Sequence, residues 1–376
     1  MSQTQSANDA VDTLSNTERT YNFSAGPAVL PEAVLRQAQR DLWDIDGTGI
    51  GVLEHSHRDA TIDRVFEDAE KGCRELAGIG DDHAVLFLSG GACQQFAMLA
   101  MNFLTPGRTG DYLVTGNWAK TARSYADSYG ITHAAYDGTD CVFDHVPTPE
   151  EITYSDDPVY VHYCSNNTIY GTSYPEPPRT EAPLIADVSS EMFSRPWDYS
   201  AHAMTYACAQ KNLGPAGGSC VIVSRELLER TNQGLPKIFR YEDHVAKGSR
   251  LNTPPVFTVY MMGLAFRWIS EQGGVDRMAS RNREKAGLIY DAIDGSGGFW
   301  IPHAREDSRS MMNINFRTSD PELDKRFIQE AQEHGMSALK GHRSVGGMRA
   351  SVYNAFPRQG CVQLAEMMRE FARTNG

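Results

Sequence analysis

Lysine is scarce in this chain. Of its 35 basic residues only 8 are Lys and 27 are Arg. The imbalance by itself reads as codon or habitat bias, but any lysine in a special setting stands out. Positive charge is short overall: 48 acidic residues leave a net charge of −13. That excludes a non-specific nucleic-acid binder and a partner of anionic membranes, both of which need a positive surface. Long apolar runs are missing too, so no membrane span is expected. The opening MSQTQSANDAVDTLSNTER has neither a basic start nor an apolar run, so no signal peptide is expected. There are seven cysteines, an odd number, at 73, 93, 141, 164, 208, 220 and 361, with no C-x-x-C pair. The expectation is a reduced, cytoplasmic protein with buried thiols, no disulfide framework and no metal site.

What is present suits a globular enzyme. Of 376 residues, 41% are hydrophobic, enough for a sizeable core and about two domains. Residues 1–19 are polar and read as a mobile tail. From residue 84, short apolar runs alternate with helical patterns: AVLFL (84–88), DYLVT (111–115), THAAY (132–136), PVYVHYC (158–164), PLIADVSS (183–190), AMTYACA (203–209) and SCVIVS (219–224) are strand candidates. Several are apolar throughout, as strands covered on both faces are. The alternation predicts an α/β fold with a mostly parallel sheet. Residues 60–77 and 118–130 read as helices, and RWISEQGGVDRMASRNREKAGLIYDAIDG reads as one long helical stretch. The last hundred or so residues form a smaller α+β unit. The expected division is a large domain at 20–265 and a small one at 266–376, with 20–40 a candidate to pack on the latter.

TYACAQKNLGPAGGSCVIVS is the most informative stretch. Lys211 follows an apolar strand and precedes a tight Gly/Pro turn, at the mouth of the sheet. A partly desolvated amine there suits attack on an aldehyde, although a surface lysine in a hairpin has the same local pattern. Asp187 ends another apolar run, 24 residues earlier, where open α/β sheets bind ligands. It also fits a helix N-cap, because Ser190 and Glu191 follow. A pyridoxal-phosphate site needs both groups: a lysine for the aldehyde and an acid for the pyridine nitrogen. The turn from Ser89 to Cys93 offers small residues and a helix N-terminus to a phosphate, a weak signal by itself. Trp118 is placed to stack on a flat ring, or to pack as a rim aromatic. Ser56-His57-Arg58 and the loop GHRSVGGMR (341–349) are Arg/His clusters suited to carboxylates and phosphates.

Together these residues resemble the phosphoserine aminotransferases, in the class-V group of fold-type I pyridoxal-phosphate enzymes. The resemblance runs from about Tyr21 to the C-terminus. NFSAGPAVLP (22–31), Ser56-His57-Arg58, ADVSSEMFSRP through AQKNLGPAG (186–217) and GHRSVGGMRASVYNA (341–355) carry it. It implies that Lys211 is the Schiff-base lysine and that Asp187 pairs with the pyridine nitrogen. Trp118 would stack on the ring and Thr168 would bond near its oxygen. Ala92, Cys93 and Gln210 would hold the phosphate, joined by Asn252 and Thr253 from the other subunit of a homodimer. Arg349 would bind the substrate α-carboxylate, and His57, Arg58, His342 and Arg343 the distal anion. Some members carry Arg in place of Cys93 and Ser in place of Ala25, departures that touch affinity more than reaction type.

The implied activity is transfer of the amino group of L-glutamate to 3-phosphonooxypyruvate, giving O-phospho-L-serine and 2-oxoglutarate. Members often also act in pyridoxine synthesis. A related class-V enzyme is the nearest rival. An alanine–glyoxylate aminotransferase, however, has no use for a second anion cluster. A cysteine desulfurase needs a reactive thiol on a mobile loop, and Cys361 opens a helical pattern. A non-catalytic α/β binding protein is the distant one, distinguished by the absence of a chromophore after incubation with pyridoxal phosphate.

Overall fold

The computed structural model describes residues 19–376; the polar tail falls almost entirely outside them. The first short strand, β1 (Tyr21–Asn22), leads to helices α1 (Glu32–Asp41) and α2 (Ala60–Ala77). Asp59 caps α2 by accepting from the Thr61 N–H at 2.8 Å, and Gly78 ends it at φ 65°. A left-handed residue at that position suits glycine. The next elements are β2 (His83–Ser89), α3 (Ala92–Phe103), β3 (Thr109–Val114), α4 (Asn117–Ala126), β4 (Ile131–Asp137), β5 (Pro158–Cys164), β6 (Leu184–Asp187), β7 (Met204–Cys208) and β8 (Gly218–Ser224).

These strands form one sheet in the order β2-β8-β7-β6-β5-β3-β4. All pairings are parallel except those of β8, which runs antiparallel to both β2 and β7. A hairpin therefore interrupts the crossover pattern, and Lys211 sits in its connecting turn. Apolar clusters cover both faces. One holds Phe66, Phe87, Val161 and Phe266; the other holds Leu86, Phe96, Val114 and Val221. Double coverage explains why β6 and β7 are buried at every position rather than alternating.

The second half contains α5 (Val256–Glu271), α6 (Gly274–Asp294), β9 (Ile301–Pro302), β10 (Asn313–Arg317), α7 (Pro321–Glu333), β11 (Met336–Ser337), β12 (Met348–Ser351) and α8 (Arg358–Asn375). The long helical stretch expected after residue 266 is two helices. Gly273 and Gly274 take φ of 98° and 73°, which breaks the hydrogen-bond ladder. The first helix also starts earlier than its polar surroundings suggested, with Pro255 at its N-cap. It lies against α2 and contributes Phe266 and Ile269 to the core of the large sheet. Strands β12, β10 and β9 form a three-stranded antiparallel sheet over a separate cluster around Trp300, Phe327 and Phe371. The N-terminal stretch returns to this region: β1 pairs with β11, and Phe23 packs in the same cluster. Among the described residues, no helix is long and apolar enough to cross a membrane.

Candidate functional site

Three neighbouring parallel strands end in polar or thiol residues: β5 at Cys164, β6 at Asp187 and β7 at Cys208. This carboxyl edge is where an open α/β sheet presents loops to a ligand. Asp187 is 7% exposed. Its Oδ1 accepts from the Ser189 N–H at 2.9 Å, and its Oδ2 has only the Cys164 thiol at 3.9 Å. The helix expected after it does not form; the chain makes a tight turn instead, so the N-cap alternative falls. One carboxylate oxygen is thus fixed, and the other lacks a strong partner. Burial pushes the Asp187 carboxyl above its ordinary range, against the pull of the nearby Lys211 charge.

Lys211 lies in the turn between β7 and β8, where the Gly214 N–H returns to the Ala209 carbonyl at 2.7 Å. Burial opposes its charge, but Cys208, Tyr353, Asp187 and Cys164 outweigh it, and the amine is held above its ordinary value. Lys211 and Asp187 form no ion pair. They line one cleft, together with Thr115, Gly116, Trp118, Asn166, Asn167 and Ser190. A surface hairpin lysine is therefore excluded.

Trp118 is the second residue of α4 and remains 39% exposed. Its indole N–H donates to Thr168 Oγ at 3.3 Å. The Thr168 carbonyl in turn accepts from Arg349 Nη1 at 3.1 Å. Thr168 thus ties Trp118 on α4 to Arg349 on β12. Arg349 sits on β12, and its buried Nε has no partner. Among the described residues it forms no ion pair, and burial lowers its pKa from the ordinary guanidinium value. His342 is depressed by burial and then by the charges of Arg349 and Arg343. Arg349 and Arg343 thus supply positive charge, with His342 a neutral donor beside them.

At the start of α3, the amides of Ala92 and Cys93 have no hydrogen-bond partner among the described residues. Cys93 is exposed, and its thiol is pushed up by burial and by Asp187 and Cys208, against the pull of Lys211. The start of α3 and Lys211 therefore share one electrostatic neighbourhood. The Gln210 carbonyl accepts from the Ala28 N–H at 2.9 Å. This docks the Gly26-Pro27 turn against Gln210 and Lys211.

Of the expected residues, Lys211, Asp187 and Trp118 line the cleft itself; Thr168 and Arg349 join it through the hydrogen-bond chain from Trp118, and Ala92, Cys93, Gln210, His342 and Arg343 lie beyond its lining. Arg58, Asn252 and Thr253 are exposed and His57 is half-buried, and these four also lie outside it. Arg58 has no ion-pair partner among the described residues. Several residues of the site had no assigned role in the sequence. Tyr353 lies in the field of Lys211 and Arg349. Its hydroxyl donates to the Ala25 carbonyl at 2.7 Å and accepts from Asn313 Nδ2 at 3.1 Å. Ser189 Oγ accepts from the Cys208 N–H at 3.0 Å. A buried tyrosine four residues beyond Arg349 was the available signal for the first. Nothing local marked Asn313. Away from the cleft, Cys141, Asp144 and His145 bring ligand atoms within 4.8 Å of one another. Asp144 is already engaged by His145 at 2.6 Å and Arg305 at 3.1 Å. Cys361 is buried inside α8, a packing thiol.

This donor set fits pyridoxal phosphate: unpartnered amides for a phosphate, a half-satisfied carboxylate for a ring nitrogen, an exposed indole and a lysine. Comparison with known proteins agrees. The family model of class-V aminotransferases matches residues 20–364. The phosphoserine aminotransferase of Herpetosiphon aurantiacus is 47% identical over 357 residues, covering 95% of this chain and 99% of that protein. That of Geobacillus kaustophilus is 45% identical over 356 residues, with 95% and 99% covered. The solved phosphoserine aminotransferase of Bacillus circulans subsp. alkalophilus superposes with a TM-score of 0.93 at 44% identity, covering 96% of this chain and all of that one. An alanine–glyoxylate aminotransferase from Nostoc shares the fold at 15% identity and a TM-score of 0.74. With near-complete coverage on both sides, the chain belongs to the phosphoserine aminotransferases, within the class-V pyridoxal-phosphate aminotransferases.

Proposed function

We propose that the chain moves the amino group of L-glutamate to 3-phosphonooxypyruvate through Lys211 and Asp187, with Arg349 as the receptor for the α-carboxylate. The observation that carries this reading is Arg349: a partly buried guanidinium, without a carboxylate partner, tied through Thr168 to Trp118 beside the lysine. Both substrates bear an α-carboxylate, and a guanidinium grips one bidentately.

Pyridoxal phosphate, when bound, supplies an aldehyde for amines and a ring that takes up electrons from the substrate α-carbon. Asp187, whose Oδ2 has only the Cys164 thiol at 3.9 Å, would keep the ring nitrogen protonated. The amides of Ala92 and Cys93 and the side chain of Gln210 would hold the phosphate. Trp118 would stack on the ring. The Lys211 amine would hold the aldehyde in the resting protein and, once free, would take the proton from the substrate α-carbon and give it back during the transfer. His342 and Arg343, beside Arg349, serve the distal anion. His57 and Arg58 join them at that anion, and Asn252 and Thr253 reach the cofactor phosphate from a second copy of the chain in a homodimer with shared sites.

The test is direct. The purified protein incubated with pyridoxal phosphate develops a visible band that borohydride removes, and transfers nitrogen from glutamate to 3-phosphonooxypyruvate. Lys211→Ala keeps its fold by circular dichroism but loses both band and transfer. A Lys211→Ala variant retaining a substantial share of turnover sinks the assignment.

A further inference from the structure

Helix α6 carries two buried polar side chains, Asn282 and Lys285, outside the cleft. Lys285 has no carboxylate partner among the described residues. Its amine faces four carbonyls of a single turn: Val352 at 3.0 Å, Tyr353 at 2.5 Å, Asn354 at 3.4 Å and Phe356 at 3.3 Å. Asn282 Nδ2 holds the same turn, donating to Asn354 Oδ1 at 2.8 Å, and also donates to the Ser194 carbonyl at 2.9 Å.

This turn begins where β12 ends, three residues after Arg349, and reaches the lysine by two routes. The Asn354 N–H donates to Asn212 Oδ1 at 3.0 Å, and Asn212 adjoins Lys211 in sequence. Asn212 Nδ2 continues to the Ser190 carbonyl at 3.1 Å, three residues past Asp187. Tyr353, within the turn, lies in the field of Lys211, and its hydroxyl donates to the Ala25 carbonyl at 2.7 Å. One polar joint thus ties α6, the strand bearing Arg349, the lysine and the loop after Asp187. Burying an amine without a counter-charge is unfavourable, and an apolar side chain of equal length would fill the space but leave these carbonyls without it.

We propose that Lys285 is a positioning residue for amino transfer: by gripping the 352–356 turn it fixes Lys211 and Arg349 relative to each other. The proposal rests on Lys211 being the cofactor lysine. The Lys211→Ala experiment above tests that separately, because it reads loss of the band whatever Lys285 does.

Lys285→Met is purified as the cofactor-loaded dimer or monomer it forms. Three quantities are read: the pH midpoint of the visible band, kcat and KM for glutamate, and the melting temperature. The expected result is a midpoint moved by about half a pH unit or more. It comes with a roughly tenfold or larger fall in kcat and a much smaller change in KM. A folded, loaded variant with wild-type midpoint and kcat, and only a lower melting temperature, overturns the proposal. Asn282→Ala, which keeps Lys285 and cuts the adjacent tie, guards against misfolding of the first variant. It must move the midpoint in the same direction, and an unmoved midpoint there also overturns the proposal.

Discussion

Lys211 holds its proton because acidic neighbours outweigh burial. A protonated amine does not attack an aldehyde, so cofactor capture by the free protein should accelerate as pH rises through neutrality towards the alkaline range. Stopped-flow absorbance with pyridoxal phosphate reads this, and a rate that is flat or falls with pH contradicts it. Arg349→Lys keeps the charge but loses the fork, and should weaken every amino donor. The expected loss in kcat/KM is roughly 10- to 150-fold, from about 1.5–3 kcal/mol for a charge-assisted contact. Arg58→Lys should weaken glutamate by a similar factor and L-alanine far less. Equal losses for both donors would remove the division of labour. Lys285 titrates at about 7, lowered by burial and by Arg281, with Cys361 opposing. Between there and the ordinary lysine value of 10.5, the unfolded chain binds a proton that the folded chain has released. Folding stability from this group therefore rises with pH across that window and is level below it. Chemical denaturation of wild type and Lys285→Met at several pH values should show their difference growing across the window in favour of wild type.

At the scale of elements, the β3–α4 connection is the sensitive joint. Asn167 Nδ2 donates to the Thr115 carbonyl at 2.6 Å, and a Cβ at Gly116 would collide with that same nitrogen. Asn167 is buried and cannot swing away freely. Gly116→Ala should therefore displace the 166–168 loop and Trp118 with it. The expected cost is about 1–3 kcal/mol of stability, as for other overpacked sites, with weaker retention of pyridoxal phosphate on dialysis. Unchanged retention would show that the loop relaxes without moving the ring wall. Elements with strong local signals were legible in the sequence: α2 has an Asp cap, a Gly stop and a full apolar stripe, and runs from Ala60 to Ala77 as read. The α5–α6 break was hidden, because two glycines inside a helical pattern are tolerated or disruptive according to the backbone angles they take.

At the scale of the whole molecule, Asn252 and Thr253 are exposed on a single chain and do not line the Lys211 cleft, and the proposed shared site has a stringent test. Lys211→Ala and Thr253→Asp provide two inactive parents. In a hybrid two-fold dimer, one site carries both defects and the other neither. Random reassortment makes half the dimers hybrids, so roughly a quarter of wild-type activity should return after joint unfolding and refolding. Activity no higher than the average of the parents refutes the exchange.

The sequence by itself determined the alternating α/β pattern and the continuous burial of the central strands, and it singled out Lys211, Asp187 and Arg349 as candidates. Each is written locally, in an apolar run, a Gly/Pro turn or an Arg-bearing loop, and local pattern is what sequence encodes most directly. It left open whether Lys211 was a surface hairpin lysine and whether Asp187 capped a helix. Tertiary structure decided both, because cofactor-ready geometry depends on strands far apart in the chain ending side by side. It also brought out Tyr353, Asn313 and Lys285, which the sequence did not mark. Their hydrogen-bond partners lie tens to hundreds of residues away, as with Lys285 and the Tyr353 carbonyl or Tyr353 and Ala25. A buried polar group is defined by its partners, and only the folded chain brings those partners together.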